Sequence, residues 1–338
     1  MKHKTLIMLL VGIGILTLMV LLIGPAKIAE AVEMANPWYV ALAFIIQFIL
    51  YGLWTERWSI NIQAVAISIR KIHLIPMLLV GMAVNNITPS ARGGGEPIRA
   101  YILGKYTNSP METSFATVIA DKGLDTFPLF LLAVLTIIYA VLYLKLSFFV
   151  IFSLVISLIL LVIVFIIALY MSVNQNIGEK ITKWLIRVFK RFSKKDNSKL
   201  ERNALIALTG FQSSIKTLLK NRKVLFYALP LSFFIWFVEI IRLYIVFLAF
   251  NTPISLELIA VVFVIATLIG LIPLIPGGVG AVDGMMIVLF SIAGVPPSIS
   301  AAATIVERLI SFWLTSFLGI AMIPYFGSGV MDRISDKF

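Results

Sequence analysis

Six apolar runs, each long enough to cross a bilayer, constrain this chain more than any other feature: Thr5 to Ile23, Pro37 to Trp54, Thr126 to Leu144, Phe148 to Met171, Val224 to Phe250 and Ala301 to Tyr325. A helix needs about 20 apolar residues to cross the hydrocarbon core. With 60% of the 338 residues hydrophobic and 13% charged, and a mean hydropathy of +1.03, the composition lies well outside that of soluble domains. The chain reads as an all-α polytopic membrane protein.

Two further apolar stretches, Leu74 to Ile87 and Leu256 to Ile275, run into glycine clusters and resume weakly at Ile98 to Leu103 and Met285 to Ile292. Backbone broken by Gly and Pro leaves N–H and C=O groups that lipid cannot satisfy. These stretches therefore predict two re-entrant helical hairpins besides the six full transmembrane helices, about eight helices by hydropathy; two plain spans joined by loops are the alternative.

Charge sets the orientation. Lys2 and Lys4 precede the first run, the short loop with Lys27, Glu30 and Glu33 is acidic, and Thr55 to Ile72 carries Arg57, Arg70 and Lys71 against Glu56. The stretch 172–223 holds thirteen Lys and Arg against three acids, most of the overall +12. Positive loops stay inside, so the N- and C-termini and this insertion are expected on the cytoplasmic side of the cell membrane. The first run is longer than a signal-peptide core and ends at Gly24-Pro25 without a clear small-residue cleavage site, which predicts a retained helix.

The chain also repeats itself. Pro110 to Lys122 aligns without a gap on Pro296 to Arg308, bringing proline, Ser114/Ser300, Ala116/Ala302, Ile119/Ile305 and the doublets Asp121-Lys122 and Glu307-Arg308 into register. Each copy follows a glycine cluster and a carboxylate: Gly93, Gly94, Gly95 and Glu96, then Gly277, Gly278, Gly280 and Asp283. Counting crossings gives two halves, 1–144 and 145–338, each crossing three times, so the second is upside down. That is an inverted-topology repeat, an architecture that places transport sites near the midplane at discontinuous helices.

Charge inside apolar bands costs roughly 2.5–3.5 kcal/mol per residue at a helix centre on insertion scales, so each such residue must pair or face water. The set comprises Asp121, Lys122 and Asp125, Glu239 and Arg242, and Glu307 and Arg308. Glu239 and Arg242 sit three apart and fit a local structural pair as well as a functional one. Adjacent residues point about 100° apart on a helix, so each doublet must find partners elsewhere: Glu96 and Arg99, with Arg92 nearby, in the first hairpin, and Asp283 in the second. The same network could serve only to staple the fold. The glycines permit close backbone approach and could aim helix N-termini at an anion; neither cluster is a Walker A or a dinucleotide fingerprint.

Other features fit ordinary roles. Trp38, Tyr39, Tyr51, Trp54 and Trp58 read as an interfacial aromatic belt. Residues 177–192 form an amphipathic basic helix that favours anionic lipid at about 1 kcal/mol per basic residue, or else a topology anchor. Cysteine is absent and histidine is limited to His3 and His73, so no metal site or cofactor is expected. The positive charge, concentrated beside the membrane, does not indicate nucleic acid.

The Gly-Glu-x-x-Arg core within Pro89 to Arg99, Ala120-Asp-Lys-Gly-Leu-Asp125, Pro276-Gly-Gly-Val-Gly and Glu307-Arg308 together resemble the lysylphosphatidylglycerol synthase transmembrane family. This is the flippase-like membrane domain of multiple-peptide-resistance proteins, which also occurs as stand-alone UPF0104 proteins. The resemblance covers essentially the whole chain and implies lipid translocation, with Glu96, Arg99, Asp121, Lys122, Asp125, Asp283, Glu307 and Arg308 on the polar route. Asp121-Lys122 stands where Glu-Arg is usual and Asp283 where Glu is commoner, which puts a bidentate contact at Lys122 in question. No soluble aminoacyl-transferring domain follows, so aminoacyl-lipid synthesis is not expected of this chain.

Three functions are in contention. The first is a flippase or transporter for a phospholipid or lipid-linked headgroup. The second is a membrane-embedded enzyme on a lipid or polyprenyl phosphate, for which Ser90 beside Arg92 and Glu96 would be the catalytic group. The third is a non-catalytic partner of a separate transferase docked on the basic insertion.

Overall fold

A computed structural model describes residues 17, 21, 25–88, 93–143, 148–192, 198–271 and 276–327. Arg92, Ser90 and all of the expected first span but residues 17 and 21 lie outside them. Among the described residues the fold is all-helical: α1 Pro25–Glu33, α2 Pro37–Ala64, α3 Leu74–Ile87, α4 Glu96–Thr107, α5 Met111–Tyr143, α6 Phe148–Val173, α7 Gln175–Phe192, α8 Ser198–Lys220, α9 Leu229–Ala249, α10 Leu256–Gly270, α11 Ala281–Ile292, α12 Pro297–Arg308 and α13 Leu314–Met322. Wide π turns, Val224–Ala228 and Leu309–Trp313, lead into α9 and join α12 to α13.

Among the described residues, five helical stretches are long and apolar enough to cross a membrane: Pro37–Ala64, Met111–Tyr143, Ile151–Val173, Val224–Ala249 and Pro297–Phe326. They coincide with the second to sixth apolar runs, though three are longer than the runs themselves. At 1.5 Å per residue, the 14-residue α3, 12-residue α4, 15-residue α10 and 12-residue α11 are each about 18–23 Å long, shorter than a ~30 Å core. Large apolar side chains such as Phe152, Ile159, Ile163 and Ile166 lie exposed along α6; on a membrane protein such a surface faces lipid.

α2 and α9 pack antiparallel at the centre. Asn36 caps α2 by accepting from the Trp38 N–H, and its own N–H donates to the Ala249 carbonyl at 2.7 Å, pinning the start of α2 to the end of α9. α3 packs against α13 of the other half, where Asn86 Nδ2 donates to Ser316 Oγ at 2.9 Å and a Cβ on Gly319 would overlap the Leu79 carbonyl. α10 of the second half packs in turn against α5 of the first. The basic insertion forms the α7–α8 pair, and α8 lies on the amino-terminal part of α5 through Phe211 against Phe115 and Ser214 against Thr113.

The glycine clusters break the chain in different ways. Gly277, Gly278 and Gly280 have φ of 59°, 67° and 81°, a region costly for any residue with a Cβ. Gly95 has φ −84°; there a Cβ would overlap the Gly81 carbonyl, so glycine is needed for close approach of α3 and α4.

Candidate functional site

The first cluster forms where α2, α4 and α5 meet. α2 continues ten residues past the apolar run and buries Arg57, which the sequence placed in a cytoplasmic loop. Its Nε donates to Asp121 Oδ1 at 2.8 Å, and its Nη1 donates to Asp125 Oδ1 at 2.7 Å and to Ser232 Oγ at 3.3 Å. Asp121 accepts a second guanidinium through Oδ2, from Arg99 Nη2 at 3.1 Å. The Arg99 guanidinium lies 4.2 Å from the Trp58 ring centre, and Trp58 Nε1 donates to Thr117 Oγ1 at 3.2 Å. Lys122 Nζ reaches Glu96 Oε1 at 3.4 Å, and Asn85 Nδ2 donates to that same oxygen at 3.3 Å. Asn85 Oδ1 accepts from the Gly95 N–H at 2.7 Å, tying the glycine bend to α3. Among the described residues, Glu96 Oε2 and Arg99 Nε are buried polar atoms without a hydrogen-bond partner.

The second cluster repeats these roles. Arg242 on α9 grips Glu307 through Nη2–Oε1 at 2.7 Å and Nε–Oε2 at 3.4 Å, and its Nη1 donates to Gln47 Oε1 of α2. Arg308 Nε lies 2.7 Å from Asp283 Oδ1, its Nη2 donates to the Gly277 carbonyl at 3.1 Å, and it sits 4.2 Å from the Phe312 ring centre. Asp283 Oδ2 accepts the Gly280 N–H at 2.7 Å, a reach-back typical of a helix start. In both halves the doublet's acid pairs with an arginine of the central helix, at sequence separations of 64 and 65. The doublet's base pairs with the carboxylate after the glycines. The central helices also exchange ligands: Ser232 stands ten residues before Arg242 and binds Arg57, and Gln47 stands ten before Arg57 and binds Arg242.

Both clusters line one cavity of ≈ 710 Å³. Arg57, Glu96, Arg99, Asp121, Lys122 and Asp125 enter it from the first half, and Glu239, Arg242, Glu307 and Arg308 from the second, five cations facing five carboxylates. Leu78 and Met82 of α3 and Leu160, Leu161 and Val164 of α6 supply apolar wall. Such a mixture of apolar surface and a few converging polar groups, at this size, suits a small ligand or headgroup. The described residues hold no group of three or more His, Cys, Asp or Glu placed to bind a metal.

The structure thus brings together Glu96, Arg99, Asp121, Lys122, Asp125, Glu239, Arg242, Asp283, Glu307 and Arg308; Arg92 lies outside the described residues. Arg242, three residues from Glu239, reaches Glu307 on α12 and Gln47 on α2, and both Glu239 and Arg242 line the cavity. The aromatic belt divides, with Trp38 82% exposed but Tyr51 and Trp58 buried, because α2 turns them into the helix packing. Gly277 adds a ligand role through its carbonyl. Arg57, Gln47, Asn85 and Ser232 escaped the sequence reading, although Arg57 occupies nearly the same place before Asp121 as Arg242 does before Glu307.

A family model described as the lysylphosphatidylglycerol synthase TM region matches residues 6–319. A UPF0104 membrane protein of Methanothermobacter thermautotrophicus is 56% identical over the full length of both chains. Another, of Methanocaldococcus jannaschii, is 31% identical over 95% of this chain and 94% of its own, and one from Pyrococcus horikoshii 26% over 94% and 95%.

Proposed function

The chain belongs to the lysylphosphatidylglycerol synthase TM-region family, and from that premise and the geometry of its cavity we propose that it carries the headgroup of a phospholipid or lipid-linked molecule across the cytoplasmic membrane. The observation that carries this reading is the single cavity into which charged pairs from both halves of the chain project. Fixed charges there replace the hydration of a polar headgroup, while the apolar wall accommodates what adjoins it. The matched pairing of the two clusters, with exchanged Gln47 and Ser232, supports an inverted repeat of six spans. The short α3–α4 and α10–α11 pairs support re-entrant hairpins that bring the glycine bends towards the cavity. In this arrangement the two halves rock about the central α2–α9 pair. Anionic lipid under the α7–α8 insertion, and a separate transferase as partner, extend the same reading.

The test is reconstitution. Full-length protein in liposomes should accelerate movement of fluorescent phospholipids between leaflets, and Asp121→Asn and Glu307→Gln should each slow it. Wild-type liposomes indistinguishable from protein-free ones across zwitterionic and anionic probes would refute the transport reading.

A further inference from the structure

The two base–carboxylate pairs hold matching places in the two clusters but differ in tightness. Arg308 and Asp283 lie 2.7 Å apart with side chains 10% and 5% exposed, and the second Asp283 oxygen takes the Gly280 N–H. Lys122 and Glu96 lie 3.4 Å apart, the lysine side chain is 39% exposed, and the second Glu96 oxygen, although buried, has no hydrogen-bond partner. Asp121 is held by Arg57 and Arg99, Asp125 by Arg57, and Glu307 by Arg242 at both oxygens. Glu96 is therefore held more loosely than Asp121, Asp283 or Glu307, on the cavity wall, beside the half-exposed ammonium of Lys122.

We propose that Glu96 and Lys122 form a proton-linked site for a phosphate-bearing lipid headgroup, a conclusion that deepens the transport reading and rests on it. When a phosphodiester monoanion enters, the Lys122 ammonium moves from Glu96 Oε1 to a phosphate oxygen, and Glu96 takes one proton supplied by a buffer acid of the bulk solution. The bond formed is O–H on the carboxyl, the bond broken is that of the proton to the buffer, whose conjugate base stays in solution, and the proton cancels the charge brought by the phosphate. Site and ligand together keep the formal charge of the empty site, which avoids adding net charge inside a low-dielectric wall. The charged groups around Glu96 are Arg99 on its own helix, Asp121, Lys122 and Asp125 on α5, and Arg57 on α2, with Glu239, Arg242, Glu307 and Arg308 across the cavity. α3 presents Asn85 and has no titratable residue along Leu74–Ile87.

Calorimetric titration of the full chain in non-ionic detergent with dihexanoyl phosphatidylglycerol, in buffers of different ionisation heat, counts the protons taken up. Wild type should take up about one proton per ligand bound. Glu96→Gln should bind with no uptake, and Glu96→Asp should restore it. Lys122→Gln should bind about tenfold more weakly or worse, as loss of a charge-assisted hydrogen bond implies. Because the wild type alone reports proton uptake, the result does not depend on a variant folding. Binding without uptake, or uptake unchanged in Glu96→Gln, overturns this site and leaves the transport reading standing. Proton-linked binding in a protein that flips no lipid does the reverse. Inorganic phosphate as second probe should bind more weakly than the lipid; tighter binding overturns the lipid assignment.

Discussion

Removing one partner of the Arg242–Glu307 pair should cost several times what removing one partner of Lys122–Glu96 costs. Arg242 and Glu307 are 3% and 4% exposed and share two donor–acceptor contacts. Glu307→Leu leaves a guanidinium in the protein interior with Gln47 as its remaining described hydrogen-bond partner, and stranding a buried charge in this way costs about 3–5 kcal/mol. Arg242→Met should cost a similar amount. The double replacement removes both charges and leaves Gln47 Oε1 short of a donor, about 1–3 kcal/mol, so it should be more stable than either single variant. Adding Gln47→Leu should recover much of the remainder. Lys122→Gln breaks a 3.4 Å contact between a 39% exposed lysine and a 7% exposed glutamate; solvent already screens the ammonium and the glutamine amide can still donate to Glu96, which holds the loss to about 1 kcal/mol. Unfolding of purified protein in mixed micelles with rising sodium dodecyl sulfate, followed by circular dichroism, measures all five variants on one scale. The reasoning is wrong if Glu307→Leu falls within about 1 kcal/mol of wild type, the loss expected of Lys122→Gln, or if the double variant is less stable than both single ones.

Gly95→Ala should destabilise by about 1–3 kcal/mol through overlap with the Gly81 carbonyl, whereas alanine at the exposed Gly93 should stay within about 0.5 kcal/mol of wild type in the same assay. Trp58→Phe keeps an aromatic ring beneath Arg99 but loses the bond to Thr117, a loss of about 0.5–1.5 kcal/mol; Trp58→Ala should lose about 3–5 kcal/mol. Arg57→Lys preserves the charge but gives up the fork that joins Asp121, Asp125 and Ser232. Phospholipid flipping in liposomes should fall about tenfold, equivalent to about 1.4 kcal/mol of barrier, with the melting profile retained.

The partners of the doublets were legible in the sequence because a helix forbids its adjacent residues from pairing, which left Glu96, Arg99 and Asp283 as the charges within reach. Arg57 was not legible by the same route. Glu56 and Arg57 end the apolar run, so hydropathy closes the span at Trp54, while the helix itself continues to Ala64 because Trp58 and Ile62 bury one face of it. Extending the repeat upstream would have found it, since its distance to Asp121 matches that from Arg242 to Glu307. The reach of Arg242 was hidden for another reason: spacing of three from Glu239 points to a local pair, and gives no sign that helix packing carries Arg242 to Glu307 and Gln47 on two other helices. The glycines were found as clusters, yet residue type could not tell positive φ at Gly277 from close approach at Gly95.

The difference in tightness between the two base–carboxylate pairs follows from a substitution visible in the sequence. Arg308 reaches Asp283 with Nε while Nη2 holds the Gly277 carbonyl, so one planar group fixes both the carboxylate and the glycine bend. Lys122, at the matching place, has a single ammonium on a flexible stem and cannot present that fork. On the other side of the pair, Asp283 turns its second oxygen to the Gly280 N–H, while Glu96 leaves its second oxygen unbonded and the Gly95 N–H goes to Asn85. Both departures loosen the same pair. A chain that repeats its charges therefore does not repeat their strength: lysine for arginine and glutamate for aspartate make the first pair the easier of the two to part, and place it where an entering headgroup would meet the half-exposed ammonium.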